Sequence, residues 1–380
     1  MKKNKNPWIP NRGIGRLVSQ ETNISDVIQE LTDRDASPWL GLIGFVPENI
    51  SREAKGANNA DLLVTSATNS AIVEVKLGHF LSEDQQAKYE KLPEKIQLFM
   101  AALQSDSKRI DPLDARWQFI SLGELIGCWT ESQDEFARLL AERTVAVIHD
   151  WDEKISGVLA PSDSDERMPV EVLNQKFLAR IVTRRMAEKL IGMGLQAFAG
   201  TTSGGGLPLI QAWSPMRNGN LGQRFIAEVR WWESKPGGEL RIGVDFKPET
   251  GEKESESLRR AAYALARSME EDIDFGSLHA KLQIENSRLA DLIYRTKPSR
   301  PKPKGDWELV LTHGFAGSAL EGGRRNSRRQ TNPGFYGDGA LRFQAIASID
   351  FSNASAGDLV ELICMSLKHL RDSEPKIAAL

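Results

Sequence analysis

Apolar positions first recur at helical spacing in "TNISDVIQELTDRD", where Ile24, Val27, Ile28 and Leu31 share one face and Thr22 or Asn23 is placed to cap. The short, continuously apolar "PWLGLIGFV" predicts a buried strand, and the polar "PENISREAKGANNA" after it predicts a loop. From Asn59 to His79 the chain reads "NADLLVTSATNSAIVEVKLGH", two largely apolar strands around the polar turn "SATN". "SEDQQAKYEKLPEKIQLFMAAL" then predicts a helix opened by Ser82 and broken or kinked at Pro93, and "RWQFISL" another strand.

Residues 132–157 follow a mostly helical pattern that ends before the Pro-, Ser- and Asp-rich "VLAPSDSDERMP". A domain boundary is expected there, near Asp165, giving domains of 1–164 and 165–380. The second half opens with a helix, "VEVLNQKFLARIVTRRMAEKLIGMG", and the Gly-rich "GTTSGGGLP" follows as a flexible connection. "RFIAEVRWW" and "ELRIGVDF" flank "ESKPGG" as a hairpin, with further strands expected at "DWELVLTHGF" and "ALRFQAIASIDF". "SESLRRAAYALARSMEEDI" and "FGSLHAKLQIENSRLADLIY" predict helices, "KPSRPKPKGD" a stiff linker, and "SAGDLVELICMSLKHLRD" a last helix whose Ser355 and Asp358 suit a capping box. Strands grouped apart from helices predict an α+β second domain.

Composition narrows the function classes. Of 380 residues 40% are hydrophobic and 27% charged, and no apolar run approaches the ~18 residues of a membrane helix, so no membrane partner is expected. The start, "MKKNKNPWIPNRG", does not resemble a secretory signal, which makes the cytoplasm the default expectation. Cys128 and Cys364, the two cysteines, form neither a disulfide framework nor a metal-binding spacing and are expected as buried thiols. A net charge of -3 leaves any nucleic-acid contact to local basic patches. The best of these is "GGRRNSRRQTNPG", whose Arg324, Arg325, Arg328 and Arg329 suit phosphate oxygens, of nucleic acid or of a nucleotide signal that gates the protein. Arg180, Arg184 and Arg185 are expected on a solvated helical face, Phe225, Trp231 and Trp232 in the core, and His79 as a solvated or capping residue.

The hairpin carries the chemistry. Glu74 and Lys76 fall on one face of their strand, with Val73, Val75 and Leu77 on the other. If "SATN" is a four-residue turn closed by Thr65 and Ser70, Asp61 lies directly opposite Glu74. Like charges about 5 Å apart across strands destabilise a sheet, so a cation, a lysine or a proton must relieve the pair. A divalent metal does so most simply, since Mg²⁺ takes one or two carboxylates and leaves room for phosphate oxygens.

Asp61, followed by an apolar strand ending Glu74-Val75-Lys76, resembles the PD-(D/E)XK nuclease superfamily over roughly residues 21–122. Gln85 and Tyr89, four residues apart on the next helix, are similar to the Gln-x-x-x-Tyr pair of its RecB-like branch, where that helix helps hold DNA and orient the site. Ala60 stands where the strict pattern has proline. The resemblance implies an α/β, restriction-endonuclease-like first domain, a mixed central sheet flanked by helices. It implies Mg²⁺ or Mn²⁺ on Asp61 and Glu74, with the Val75 carbonyl as a third oxygen and Glu21 as an extra ligand. Lys76 would steady the attacking water or the transition-state charge. The expected activity is hydrolysis of phosphodiesters in DNA rather than RNA, leaving a 5′-phosphate. The setting would be restriction, phage defence or repair, with a homodimer and partner proteins of such a system as candidate partners. A catalytically silent binding module is the rival expectation.

Overall fold

A computed structural model describes residues 8–9, 12–54, 59–78, 81–109, 116–161, 164–202, 206–216, 223–233, 237–246, 256–295, 311 and 341–374. The arginine loop at 324–329, His79 and most of "DWELVLTHGF" lie outside them. Two compact units divide the chain: one takes residues 8–157 and 173–182, the other residues 158–172 and 183–380. Together they are α/β, with a mixed five-stranded sheet in the first and an antiparallel six-stranded sheet with helices in the second. No helix among the described residues is long and apolar enough to cross a membrane.

In the first unit α1 (Gly13–Leu17) leads into α2 (Glu21–Arg34), and α3 (Trp39–Ile43) precedes the sheet. Strands β1 (Asn49–Ala54), β2 (Ala60–Thr65) and β3 (Ser70–Val75) form an antiparallel meander. Helix α4 (Glu83–Glu90) crosses over to β4 (Ile96–Ala102), parallel to β3, and β5 (Trp117–Ser121) joins β4 in parallel. Helices α5 (Leu122–Gly127) and α6 (Glu135–Leu159) follow, and α7 (Lys176–Gly192) starts in this unit and continues into the other. Strand β3 is central and, after its first residue, wholly buried, as expected of a strand covered on both faces. Helix α2 packs on β1, β2 and β3 through its buried Ile24, Val27, Ile28 and Leu31.

Four expectations about the elements of this unit need correction. "PWLGLIGFV" is helix α3: Trp39 and Ile43 are buried one turn apart, and Gly44, at φ 81°, ends the turn in the left-handed region. "PENISREAKGANNA" contains β1, whose polar residues are tolerated because it is an edge strand held by backbone pairing to β2. After Pro93 the chain is not helix but β4, an apolar run buried between parallel neighbours. Helix α2 begins at Glu21 rather than after Thr22 or Asn23, and no side chain caps it.

In the second unit β6 (Gln196–Thr201), β7 (Pro208–Pro215), β8 (Gln223–Trp231), β9 (Gly238–Phe246), β10 (Ile293–Tyr294) and β11 (Leu341–Ile349) pair in the order β10-β11-β9-β8-β7-β6. Helices α8 (Glu256–Ser268), α9 (Phe275–Glu285), α10 (Ser287–Leu292) and α11 (Ala356–Asp372) complete it, α11 packing on β7, β8 and β9. Ser355 and Asp358 close the expected capping box. Phe225 and Trp231 are core residues, whereas Trp232, expected with them, is only half-buried. Arg185 is buried rather than solvated, and Cys128 and Cys364 are only half-buried.

Candidate active site

The hairpin turn sets the register. Ser66 donates its amide N–H to the Asn69 carbonyl (2.9 Å), Thr65 pairs with Ser70, and Leu62 pairs with Val73. One step further, Asp61 meets Glu74: the Asp61 amide donates to Glu74 Oε2 at 3.3 Å, and the Val75 amide donates to Asp61 Oδ2 at 2.8 Å. The β2–β3 ladder thus hands over from backbone carbonyls to two carboxylates at its open end.

Lys76 lies between them. Its Nζ donates to Glu74 Oε1 at 2.8 Å and stands 3.7 Å from Asp61 Oδ2. Tyr89, carried on α4, donates its hydroxyl to Glu74 Oε2 at 2.7 Å, and the Tyr89 ring meets Trp117 edge-on at 5.3 Å. Glu21, the first residue of α2, accepts the Leu77 N–H on Oε1 at 2.6 Å, so it reaches the residue after Lys76. Five of the residues singled out in the sequence, Glu21, Asp61, Glu74, Lys76 and Tyr89, converge at the end of β3. Gln85 serves the helix instead, since its Oε1 accepts the Ser82 N–H at 3.1 Å and its N–H donates to Ser82 Oγ at 3.2 Å, a capping box at the start of α4. Val75 meets Asp61 through its N–H, and its carbonyl projects to the same edge of the strand.

The electrostatics follow from three carboxylates and one ammonium with little solvent. The Glu74 and Lys76 side chains are 4% and 7% exposed and that of Asp61 is 22% exposed. Burial, and then the charge of Glu74, push the Asp61 carboxyl up to about 6, with Glu21 adding to the effect. Burial pulls the Lys76 ammonium down, but Glu74 and then Asp61 outweigh it and hold the group above its ordinary value. Burial, followed by the Glu74 charge, raises the Tyr89 hydroxyl, so it stays a proton donor.

The donor set fits a hard divalent cation in its chemistry. Both oxygens of Glu74 accept protein hydrogen bonds, whereas Asp61 Oδ1 has no hydrogen-bond partner among the described residues. Asp61 and Glu74 are the two carboxylates such an ion would take from protein, with water filling its remaining positions. Among the described residues no group of three or more His, Cys, Asp or Glu side chains is arranged to hold a metal. Glu21 Oε1 is turned to the Leu77 amide instead.

One polar cluster escaped sequence reasoning. Glu228 and Asp245 are completely buried on strands β8 and β9, among Arg224, Arg230, Arg241 and Arg342. Its only signal was charge at alternate positions, Arg224-Glu228-Arg230 and Glu239-Arg241-Asp245, an alternation that equally describes a solvated face.

No protein-family model, no curated protein and no solved structure matches this chain.

Proposed function

We propose that the first unit is a metal-dependent nuclease of the PD-(D/E)XK type with a restriction-endonuclease-like fold, hydrolysing phosphodiester bonds in DNA. The observation that carries this reading is Asp61 facing Glu74 across the β2–β3 hairpin with Lys76 between them. The order helix, three-stranded meander, crossover helix and parallel strand supports it, since it places the charged end of β3 beside α2 and α4.

Asp61 and Glu74 would hold Mg²⁺ or Mn²⁺, which when bound supplies Lewis-acid activation of the phosphate and of the attacking water. The remaining work belongs to the chain. Lys76 brings a fixed positive charge, held by Glu74, to where the phosphorane oxygens gain negative charge and to where water must be oriented. Tyr89 fixes the Glu74 rotamer, and Glu21 fixes the strand end by its bond to the Leu77 amide. Water oxygen bonds to phosphorus, the bond to the leaving 3′-oxygen breaks, and a 5′-phosphate and a 3′-hydroxyl remain. The second unit would select substrate or sense a ligand, in a restriction, phage-defence or repair setting in the cytoplasm, with a homodimer as the assembly that cuts two strands.

The rival is a catalytically silent binding module. It is favoured by one observation: Lys76, Tyr89 and the Asp61 amide already satisfy both oxygens of Glu74. Plasmid, linear and single-stranded DNA, and RNA, incubated with Mg²⁺, Mn²⁺ or EDTA, separate the two. Cleavage requires a divalent ion and falls by roughly 10²-fold or more in Asp61→Asn and in Lys76→Met, with folding checked by circular dichroism. Cleavage that persists in both variants, or its absence with every metal and nucleic acid, removes the nuclease assignment.

A further inference from the structure

The carboxylates at the end of β3 oppose any polyanionic substrate. Glu21, Asp61 and Glu74 set three negative charges against the single positive charge of Lys76, and the Asp61 carboxyl, at about 6, is ionised at neutral pH. One divalent cation on Asp61 and Glu74 only brings that sum to zero. The chain as a whole stands at -3, so attraction for phosphodiesters has to come from cations placed beside the site.

Three arginines of the first unit stand apart from its other described ones. Arg34 and Arg52 pair with carboxylates, Arg116 and Arg138 donate to backbone carbonyls, and Arg180 Nε donates to the Lys176 carbonyl. Arg12, Arg16 and Arg143 are exposed, and their side chains make no hydrogen bond or ion pair among the described residues. Solvated arginines are common on any surface, so their placement decides what they do.

Arg12 precedes α1 and Arg16 lies in its last turn, four residues on and so on the same side. Gly15 between them packs on α6, where a Cβ would lie 3.8 Å from Val147 Cγ1. Arg143 is one turn before Val147 on the same face of α6 and so comes up beside α1. Asp150, one turn after Val147, pairs with Lys154 at 2.7 Å and does not offset the arginines. The end of α1 is tied to the candidate site. Asn23 Nδ2, in the first turn of α2, donates to the Leu17 carbonyl at 2.9 Å, and Glu21 at the start of that turn accepts the Leu77 N–H. The residue after Arg16 is therefore bonded to the same helical turn that reaches the residue after Lys76.

We propose that Arg12, Arg16 and Arg143 form the docking surface for the phosphodiester backbone of duplex DNA, beside the carboxylates at the end of β3. The surface takes its ligand from the nuclease reading, but its test needs no cleavage. Fluorescence anisotropy of a labelled duplex with the full chain in EDTA, over about 50 to 200 mM salt, gives the affinity and its salt slope. Replacing all three arginines with glutamine costs no bond within the fold and leaves the melting temperature unchanged. It weakens binding by about tenfold or more and flattens the slope of log K against log salt by about 2.7, the equivalent of three phosphate contacts. Arg16→Gln alone flattens it by about 0.9. Arg34→Gln removes a positive charge at the far end of α2, about 20 Å from Glu21, and changes neither quantity. An unchanged slope in the triple variant, equal effects of Arg16→Gln and Arg34→Gln, or binding of RNA alone or of no nucleic acid overturns the surface. Divalent-dependent cleavage that persists in any of those cases leaves the nuclease reading standing. Conversely, DNA binding that is lost in the triple variant of a chain that cuts nothing keeps the surface and removes the nuclease.

Discussion

At the scale of single residues the decisive group is Asp61. Its carboxyl is held near 6 in the folded chain against an ordinary 3.8, because burial and the neighbouring Glu74 disfavour its charge. Between about pH 4 and 6 the folded state therefore binds more protons here than the unfolded state, and stability falls as pH rises through that window. A shift of this size corresponds to about 2–3 kcal/mol, and the side chain is buried enough for most of it to count. In EDTA, Asp61→Asn should be more stable than the wild type by on the order of 1–3 kcal/mol at pH 7.5, with the difference shrinking toward pH 4. Thermal melts of both proteins across pH 4–8 check this, and a difference independent of pH would remove Asp61 as the strained group. The Asp61–Glu74 opposition was legible in the sequence because a four-residue turn fixes an antiparallel register by counting. The Tyr89–Glu74 bond was not, since it depends on where α4 lands after the crossover. Gln85 was read only as half of the Gln-x-x-x-Tyr pair, whereas the structure uses it in a capping box with Ser82, whose Ser-x-x-Gln spacing the sequence also carries.

At the scale of elements, the errors share a cause. "PWLGLIGFV" and "KIQLFMAAL" are short apolar runs, for which periodicity does not separate strand from buried helix. Tertiary context decided both: Gly44 allowed α3 to end in a left-handed turn, and β4 found parallel partners on either side. Strand β1, with Ile50 as its one large apolar residue, has almost no hydrophobic signal and exists because β2 pairs with it. Glycine matters most where β3 ends. Gly78 adopts φ 74°, and a Cβ there would sit 2.8 Å from Ile181 Cγ1 at the start of α7. Gly44 has a similar φ of 81° with nothing within 4 Å of its Cβ position. Gly44→Ala should cost about 1 kcal/mol, the backbone term alone, and Gly78→Ala about 2–4 kcal/mol, because strain and overlap add. Urea unfolding of the two variants compares them directly. Equal losses would mean that Ile181 does not pack on the turn that follows Lys76.

At the scale of the whole molecule, two compact units each carry their own buried charge cluster: carboxylates around Lys76 in one, arginines around Glu228 and Asp245 in the other. The expected boundary near Asp165 rested on length and on the Pro- and Ser-rich segment, whereas α7 divides between the compact units, which no composition shift reveals. The polar sheet face was illegible for a different reason, because alternating charge is the usual pattern of a solvated strand and only the fold shows it buried. The cation proposed for the carboxylate cluster predicts a response confined to one unit. A divalent cation relieves repulsion only in the first unit, so it should slow amide hydrogen exchange in β2, β3 and α4 and leave β8 and β9 unchanged. A ligand at a hundredfold excess over its dissociation constant stabilises what it binds by about 2.7 kcal/mol, which is a protection factor near 10² for amides that exchange by global opening of that unit. Asp61→Asn and Glu74→Gln should abolish the cation response, whereas Gln344→Leu should leave it intact. Protection of both units by Mg²⁺ or Mn²⁺ alone would show that the ion does not act through the carboxylates at the end of β3, because only those carboxylates lose their repulsion when it binds.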